Sequence, residues 1–577
     1  MKNKRLLMLF SILAFVFCLP LLAGANERCQ GCCCCCGGGN GAPRPDKEIV
    51  ILYTNDVHCG IEKKDKTKRL GYSSLAAYKK QCRQETPYVT MVDNGDAIQG
   101  ETIGTLSKGQ YLVDIMNAVG YDYCILGNHE FDYGMNQLVK LLKGADTTYL
   151  ACNIVYTGPG KDELLPLLKP YAIAEYGLGE KAVKVGFIGV STPESLTKSA
   201  PSTFQKNGKF VYSFNGENPE KFYVCIQKNV DACRADGADY VVVLAHLGDA
   251  SESVPYTSVD VIEHTRGIDA ILDGHAHSTI PCRKINNLDG KETILTSTGT
   301  KLCTIGRMVI DTEGKITTGL IEEVTAKDPG VERVISGIKK QYEASVNAVV
   351  AHSSVAVSDC DENGCRLVRN RETAIGDLSA DAYRYAAKSD IGIVNGGGIR
   401  AGLPKGDITF DNVISVHPYG NTLACCEATG QDILDALEHA YRAVEPKATD
   451  GKNSLGECGG FLSVSGLKCT VDTSIPSHVV LDDKGMFVKV DGARRVKDVK
   501  VLNSKGQYVP IDPKATYTVA SQNFTLKECG DGFTMFAKKK YIIGEGECDY
   551  QMLINYIESL KGNLKDYTKP QGRITIK

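Results

Sequence analysis

The residues best suited to chemistry are histidines, carboxylates and asparagines that follow short apolar segments of the chain. The whole chain has ten histidines, and five of them fall in such places. This concentration predicts a metal centre, because imidazole, carboxylate and amide oxygen are ligands that suit Zn or Mn. The motifs are TNDVH with Asp56 and His58, DNGD with Asp96, GNHEFD with Asn128, His129 and Asp132, VLAH with His246, and DGHAHS with His275 and His277.

The residue types indicate two divalent metals. Two such ions about 3.5–4 Å apart can clamp an in-line displacement at phosphorus, and they lower the pKa of a bound water. Asp96 is the expected bridge between them. We predict that Asp56, His58 and His277 complete one metal, and that Asn128, His246 and His275 complete the other.

The segments that precede the motifs predict the elements that position them. Short apolar runs alternate with amphipathic stretches, and the runs lie at residues 49–54, 88–92, 123–126, 184–190, 240–246 and 269–274. This spacing predicts β-α-β units and a layered α/β domain. The motifs then fall at the carboxyl ends of strands, where α/β proteins place their active sites.

These motifs resemble those of a known family. NDVH, NGD, GNHEFD, AHLG and GHAH are similar to the calcineurin-like metallophosphoesterases and, more closely, to the secreted 5′-nucleotidases, a family that includes UDP-sugar hydrolases. The resemblance implies a four-layer α-β-β-α domain with a dinuclear centre and the same ligands, bridged by Asp96. It also implies that His129 stabilises charge on the transferring phosphoryl group or the leaving oxygen. Asp132 would orient that imidazole and keep it cationic.

The second half of the chain contains the residues that could determine which phosphoester is the substrate. Glycines in NGGGIR (395–400) would let backbone N–H groups approach an anion, and Arg400 could hold it bidentately. Tyr419 in HPYGNTL and Phe524 in QNFTLKECGDGF could sandwich a flat base, and Asp531 could accept hydrogen bonds from ribose hydroxyls. The spacing does not show whether these loops converge, and both rings could instead be ordinary core aromatics.

The resemblance places these loops together in a nucleotide site. Residue by residue, the family pattern for nucleotide binding matches Arg371, Asn395, Arg400, Phe524 and Asp531. Tyr419 departs from the phenylalanine that is usual in its position. A tyrosine ring can still stack on a base, but its hydroxyl can alter the preferred base.

The domain boundaries follow from changes in composition along the chain. MKNKR, an apolar run and Ala23-Gly24-Ala25 predict a cleaved signal peptide at residues 1–25, and a retained membrane anchor is the alternative. A Cys- and Gly-rich disordered tail follows at 26–46. We then expect a catalytic domain at 47–327, a connector helix at 328–350 and a second α/β domain, which binds substrate, at 351–577.

Composition and charge bound the functions that are possible. Among the 577 residues, 43% are hydrophobic and 23% are charged, which is typical of a globular protein. A net charge of −3 argues against a nucleic-acid polymer as partner, so we expect a small-molecule nucleotide. Sixteen cysteines between residues 59 and 548 predict disulfides in an oxidising compartment, with Cys360 and Cys365 as the best local pair.

Three hypotheses for the function follow. The first is an extracytoplasmic 5′-nucleotidase, without a stable membrane span after signal cleavage, that uses two ions of Zn, Mn or Co. It would release phosphate from nucleoside 5′-monophosphates, with UDP-sugars and nucleoside di- and triphosphates as further substrates. The second is a 2′,3′-cyclic-nucleotide 2′-phosphodiesterase/3′-nucleotidase, against which the intact NGGGIR argues. The third is a non-catalytic nucleotide-binding surface protein, which would lack some of the ligands that are present here.

Overall fold

The fold is that of a computed structural model, which describes residues 44–577 except 180–181, 362–363, 447–456 and 545. The predicted signal peptide and nearly all of the predicted Cys-rich tail lie outside the described residues. None of the helices that the structure describes is both long and apolar enough to span a membrane.

The first domain contains a seven-stranded sheet, here called the first sheet. It is parallel from its third strand to its last, and an antiparallel pair closes the other edge. Parallel strands that are covered on both faces read as continuous apolar runs, and IVILYT is buried at all six positions. The strands in spatial order are Ile316–Ile321, Ile305–Ile310, Ile49–Thr54, Val89–Asp93, Tyr123–Ile125, Thr148–Leu150 and Leu168–Lys169.

A six-stranded sheet, here called the second sheet, packs against the first. Its central strands are parallel, and an antiparallel strand lies at each edge. The strand YVVVLAH is buried along its whole length and ends at a predicted metal ligand. The strands in spatial order are Thr279–Asn286, Glu292–Thr298, Ala270–Asp273, Tyr240–His246, Val183–Ser191 and Tyr171–Tyr176.

Three apolar cores separate the layers of this domain. One lies between helices and the first sheet, one between the two sheets, and one between the second sheet and its outer helices. This is the α-β-β-α arrangement that the resemblance implies, and it is confirmed. The helices are Tyr72–Glu85, Thr102–Ser107, Gln110–Val119, Met135–Gly144, Ser195–Lys198, Pro219–Ala235 and Ser258–His264.

The helix that leads to the second domain spans Pro329–Val346, inside the range predicted for a connector. Asp328 caps it, since its carboxylate accepts hydrogen bonds from the first backbone N–H groups. Its apolar residues Val331, Ile335 and Ile338 belong to the core of the first domain. The helix is therefore packed as part of the first domain.

The second domain is built around a mixed five-stranded sheet, with helices on both faces. Its strands in spatial order are Leu462–Ser465, Ile391–Asn395, Thr516–Gln522, Leu423–Thr429 and Lys540–Ile543. A four-stranded sheet of Tyr508–Pro510, Val496–Leu502, Leu467–Val471 and Ile574–Ile576 adjoins it. The helices are Ala374–Ala387, Phe410–Val416, Gly430–Ala440, Asn523–Leu526 and Asp549–Ser559.

Smaller elements complete both domains. Four two-stranded ribbons pair Gln205–Lys206 with Lys209–Phe210, Val155–Tyr156 with Tyr212–Ser213, Val349–Ser353 with Gly406–Thr409, and Val479–Leu481 with Phe487–Val490. None of the sixteen cysteines in the described residues forms a disulfide. The predicted Cys360–Cys365 bond is thus not formed in this structure; Cys360 Sγ instead contacts Asp359 Oδ1 at 3.4 Å.

Candidate metal centre and the adjoining cavity

The side chains predicted to bind metal lie at one end of the two sheets, in two groups. Asp56, His58 and His277 form one group, and Asp96, His246 and His275 form the other. Within each group the ligand atoms lie within 4.8 Å of one another. Asp96 Oδ2 lies 3.1 Å from His246 Nε2 and 3.8 Å from His58 Nε2, so it faces both groups, as a bridging carboxylate must.

The backbone at these positions is unusual. Asp56, His58, Asp96, His275 and His277 all have positive φ, between 43° and 81°. Residues with a β-carbon rarely adopt this left-handed conformation, and it costs on the order of 1 kcal/mol or more for each residue. Five strained residues in one place are therefore a structural sign of a functional site that does not depend on residue type.

Two glycines let the loops approach one another closely. A β-carbon on Gly127 would lie 2.3 Å from Asp96 Oδ1, and one on Gly274 would lie 2.8 Å from His246 Nδ1. Real β-carbons are not found so close to other atoms, so only glycine fits here. These two residues explain why GNHE and DGH each contain a glycine before the ligand.

The donor set fits a pair of divalent metals. His58 Nδ1 and His246 Nδ1 bond to backbone carbonyl oxygens, at 2.9 and 2.7 Å, which leaves each Nε2 directed at the centre. Asn128 Oδ1 is buried and has no hydrogen-bond partner among the residues described. Burial, above all, holds the pKa of His58 well below its usual value, which favours the neutral imidazole that binds metal.

Glu130, which the sequence analysis did not single out, holds this region together. Its buried carboxylate accepts hydrogen bonds from the backbone N–H groups of Asp96, Ala97 and Gly127, at 2.7–2.8 Å. It therefore holds the loop that contains Asp96 against the loop that contains Asn128. Its place in GNHE could have suggested such a role, although nothing in the sequence indicates the direction of its side chain.

His129 and Asp132 form the predicted pair at the edge of the centre. His129 Nδ1 lies 2.6 Å from Asp132 Oδ2, and the backbone N–H of His129 donates to Asp96 Oδ1 at 2.8 Å. Burial lowers the pKa of His129, but the effects of Asp132, Tyr419 and Asp96 together outweigh burial and raise the pKa to about 10. The neighbouring carboxylates therefore favour the cationic form of this imidazole, which lies beside the predicted metal ligands.

A cavity of about 310 Å³ lies between the two domains and includes the metal centre. From the first domain it is lined by the predicted residues Asp96, Asn128, His129, Asp132, His275 and His277. From the second domain it is lined by Asn395, Arg400, Tyr419, Phe524 and Asp531. The loops of the second domain thus converge on the metal centre, which the spacing of the sequence alone left open.

Two sets of contacts are seen among the residues that line the cavity. In the first, Arg400 lies over the Tyr419 ring at 6.0 Å, and the same ring is 5.5 Å from that of His129. In the second, Asn395 Nδ2 donates to Asp531 Oδ2 at 2.7 Å, and the Phe524 ring packs against the backbone of Gly530. Neither aromatic ring is fully buried, so both face the cavity and are not ordinary core residues.

Arg371 is a correction to the sequence analysis, because it is not among the cavity-lining residues. Residues 367–371 form a turn in which Arg371 N donates to Leu367 O at 2.8 Å. The turn directs the Arg371 guanidinium to the backbone carbonyl oxygens of Asn370 and Glu445. A motif that contains two arginines two residues apart does not show which of them faces the ligand.

Arg366 and Arg369 line the cavity in its place. Burial, and then the charges of Arg369 and Arg400, lower the pKa of the Arg366 guanidinium, which shows how closely the three cations are grouped. Arg369 Nε is buried and has no hydrogen-bond partner in the described parts of the chain. Such a cluster is suited to an anion with several oxygen atoms.

Glu194 is a second carboxylate that the sequence analysis did not single out. Burial raises its pKa, but the hydrogen bond from His275 and the charge of Lys198 outweigh this and lower it to about 2. Glu194 is therefore ionised next to a predicted metal ligand. It lies in STPES, after a strand, and no charge pattern there distinguishes it from a surface residue.

Comparison with known proteins gives the same two domains. Residues 49–279 match the family model of calcineurin-like phosphoesterases, and residues 349–538 match that of the 5′-nucleotidase C-terminal domain. The trifunctional nucleotide phosphoesterase protein YfkN of Bacillus subtilis is 27% identical over 92% of this chain, which spans only 35% of YfkN. The 5′-nucleotidase of Bos taurus is 26% identical, with 91% of this chain and 90% of that protein covered.

A solved structure agrees in both domains. The 5′-nucleotidase precursor from Thermus thermophilus superimposes with a TM-score of 0.74 at 26% identity. The match covers 92% of this chain and 99% of that one. The similarity therefore extends through the connecting helix and the cavity as well as the separate domains.

Proposed function

We propose a substrate for this protein on the premise that it belongs to the metal-dependent phosphoester hydrolases that join a calcineurin-like phosphoesterase domain to a 5′-nucleotidase C-terminal domain. The substrate is a nucleoside 5′-monophosphate, and the products are the nucleoside and phosphate. The observation that carries this proposal is the single cavity that metal ligands, clustered arginines and two aromatic rings line together.

The phosphate end of the cavity lies at the metal centre. Divalent metals held by the seven predicted ligands would supply positive charge and acidify water, which is the chemistry of such pairs in phosphoester hydrolysis. Arg366, Arg369 and Arg400 bind phosphate oxygens. His129 donates a hydrogen bond to the oxygen on which charge develops, and Asp132 maintains the imidazole in its cationic form.

The nucleoside end lies against the second domain. Tyr419 and Phe524 stack on the base, and Asp531 accepts hydrogen bonds from the ribose hydroxyls while Asn395 orients its carboxylate. A 5′-phosphate fits this arrangement, because the rings, Asp531 and the metal ligands line one cavity and a single small nucleotide can reach all of them. UDP-sugars and nucleoside di- and triphosphates present the same base and ribose and are further substrates in this proposal.

Action outside the cytoplasm is part of the proposal. It is supported by the apolar N-terminal run with its Ala23-Gly24-Ala25 site, and by the many cysteines of the chain.

The test is phosphate release by the purified protein in Mn²⁺ or Zn²⁺, with EDTA controls. The panel contains 5′-AMP, 3′-AMP, 2′,3′-cyclic AMP and UDP-glucose, with chromatography to identify products. Metal-dependent cleavage led by 5′-AMP or UDP-glucose would support the proposal. Preference for 3′-AMP or the cyclic nucleotide would overturn the roles of the second domain and favour the sister activity. Binding without any cleavage would favour a nucleotide-binding protein.

A further inference from the structure

Residues 194–199 contact two separate parts of the catalytic centre. At the start of this segment, Glu194 Oε2 lies 2.6 Å from Nε2 of the metal ligand His275. At its end, Ser199 Oγ donates to Asp132 Oδ1 at 2.8 Å. Glu194 and Ser199 are not themselves predicted metal ligands or members of the His129–Asp132 pair. Each forms a hydrogen bond to one of those residues.

The Glu194 contact decides which nitrogen of His275 can bind a metal. A carboxylate only accepts hydrogen bonds, so the proton of a neutral His275 ring must be on Nε2. The lone pair is then on Nδ1, on the opposite side of the ring. Ser253 Oγ also donates to Glu194 Oε2, at 2.8 Å, and so holds the carboxylate in place.

The hydrogen bond from Ser199 orients Asp132, the carboxylate that is paired with His129. Asp132 uses Oδ2 for His129 and Oδ1 for Ser199, so each of its oxygens is committed to a different side chain. Rotation of the carboxylate would break both hydrogen bonds. Ser199 is 1% exposed, which keeps water from taking its place.

One helical turn ties the two ends of the segment together. The backbone N–H of Lys198 donates to Glu194 O at 2.7 Å, and that of Ser199 donates to Ser195 O at 3.2 Å. Leu196, in the middle of the turn, is 4% exposed and belongs to the core of the first domain. Glu194 and Ser199 therefore cannot move independently of each other.

We propose that residues 194–199 are a positioning segment that sets the tautomer and orientation of His275 and the orientation of Asp132. Glu194 acts on metal binding through His275, and Ser199 acts on turnover through Asp132. The inference rests on the proposed function, because it needs a hydrolase with metals at the predicted ligands. A segment of purely structural importance would affect the stability of the fold without this division of effects.

The first arm of the test measures metal binding, without any substrate. Glu194→Ala should weaken the affinity for one of the two Zn²⁺ or Mn²⁺ ions by about 10- to 100-fold and leave the other near its original affinity. Glu194→Gln, which keeps an acceptor oxygen, should recover part of the loss and also serves if the alanine variant does not fold. Glu163→Gln, at an exposed glutamate paired with Lys143, is the matched control.

The second arm measures turnover of bis(p-nitrophenyl) phosphate, a phosphodiester that does not need the nucleoside end. Ser199→Ala should lower kcat about tenfold or more with KM and both metal affinities unchanged, and Ser199→Thr should restore most of it. Ser474→Ala, at an exposed serine of the second domain, is the control. Thermal melting establishes that each variant is folded.

Two results would overturn the proposal. One is wild-type affinity for both metals in Glu194→Ala, and the other is wild-type kcat in Ser199→Ala. Failure of 5′-AMP to be cleaved would instead contradict the proposed substrate, and neither arm depends on that nucleotide.

Discussion

The ring of Tyr419, in the second domain, lies 5.5 Å from the ring of His129, in the first, measured between their centroids. The two planes are inclined by 40°. A residue proposed to stack on the base is thus next to the residue proposed to act on the phosphate. In the proposed reaction, substrate binding and phosphoryl chemistry therefore meet at the boundary between the domains.

Replacing the Tyr419 ring should weaken nucleotide binding. Base–aromatic stacking is worth about 1–3 kcal/mol, so Tyr419→Ala should raise KM for 5′-AMP about tenfold or more. Tyr419→Phe retains the ring and should stay within about threefold of the wild type. Steady-state kinetics check this, with Tyr385→Ala as control, since Tyr385 is exposed and its ring contacts that of Tyr556. Equal effects of the two Tyr419 variants would assign the role to the hydroxyl.

Removal of the His129 imidazole should affect turnover and not metal content. In His129→Ala the developing charge loses one hydrogen-bond donor, for which a loss of about 10²–10³-fold in kcat is typical. The seven predicted metal ligands remain, so elemental analysis should find near-normal metal. Unchanged kcat would contradict the role of the His129–Asp132 pair.

The arginines offer a matched comparison. Arg369→Ala should raise KM about tenfold or more, because a charge-assisted hydrogen bond contributes about 1.5–3 kcal/mol. Arg371→Ala should stay within about threefold, since its guanidinium bonds to backbone carbonyl oxygens outside the cavity. Kinetics on both variants check this prediction. A larger rise in KM for Arg371→Ala than for Arg369→Ala would restore the prediction that Arg371 binds the substrate.

A single methyl group at Gly127 should disrupt the metal centre. The new β-carbon would lie 2.3 Å from Asp96 Oδ1 and 2.8 Å from His246 Cε1, so the bridging carboxylate must move. We expect loss of bound metal and of activity, measured by elemental analysis and phosphate release. Gly337→Ala, in the connecting helix with open space around it, should be neutral or stabilise by up to about 1 kcal/mol. Full metal content in Gly127→Ala would show that the loop can yield.

His417 should make the second domain sensitive to acid. It is fully buried, and burial lowers its pKa to about 4 from the ordinary value of 6.5. His417 is therefore protonated in the unfolded chain at a higher pH than in the folded chain. The free energy of unfolding falls as pH drops from 6.5 to 4. The contribution is up to about 3 kcal/mol at 1.36 kcal/mol per pKa unit.

Calorimetry of the wild type and of His417→Gln checks this dependence on pH. The difference in Tm between pH 7 and pH 4.5 should be smaller in the variant, because the variant lacks the group that titrates. Equal differences in the two proteins would show that His417 accepts a proton without unfolding.

Much of the first domain could be predicted from the sequence, because its signals are local. The strand predicted at 49–54 is Ile49–Thr54, and that predicted at 240–246 is Tyr240–His246. Both of these strands are almost wholly apolar runs, and the predicted ligands lie at the end of a strand or shortly after one. Parallel strands then bring these short motifs to one edge without any long-range information.

The residues that the sequence analysis missed act through long-range contacts. Glu194 reaches His275 across 81 positions, and Arg369 is chosen over Arg371 by the path of a single turn. Neither the apolar period nor a motif specifies the direction of such a side chain. The packing of the connecting helix against the first domain was likewise not evident from its amphipathic pattern.

The spread of the ligands over both sheets has a thermodynamic consequence. Asp56 follows a strand of the first sheet, and His277 follows one of the second, 221 residues later in the chain by number. An ion bound by both residues would be a reversible cross-link between the two sheets. Its effect on the free energy of unfolding would be comparable to that of closing a long loop. Free metal concentration then controls the melting temperature of the first domain as well as its activity, through RT ln(1 + [L]/Kd). Metal depletion would therefore lower the thermal stability of the protein together with its activity.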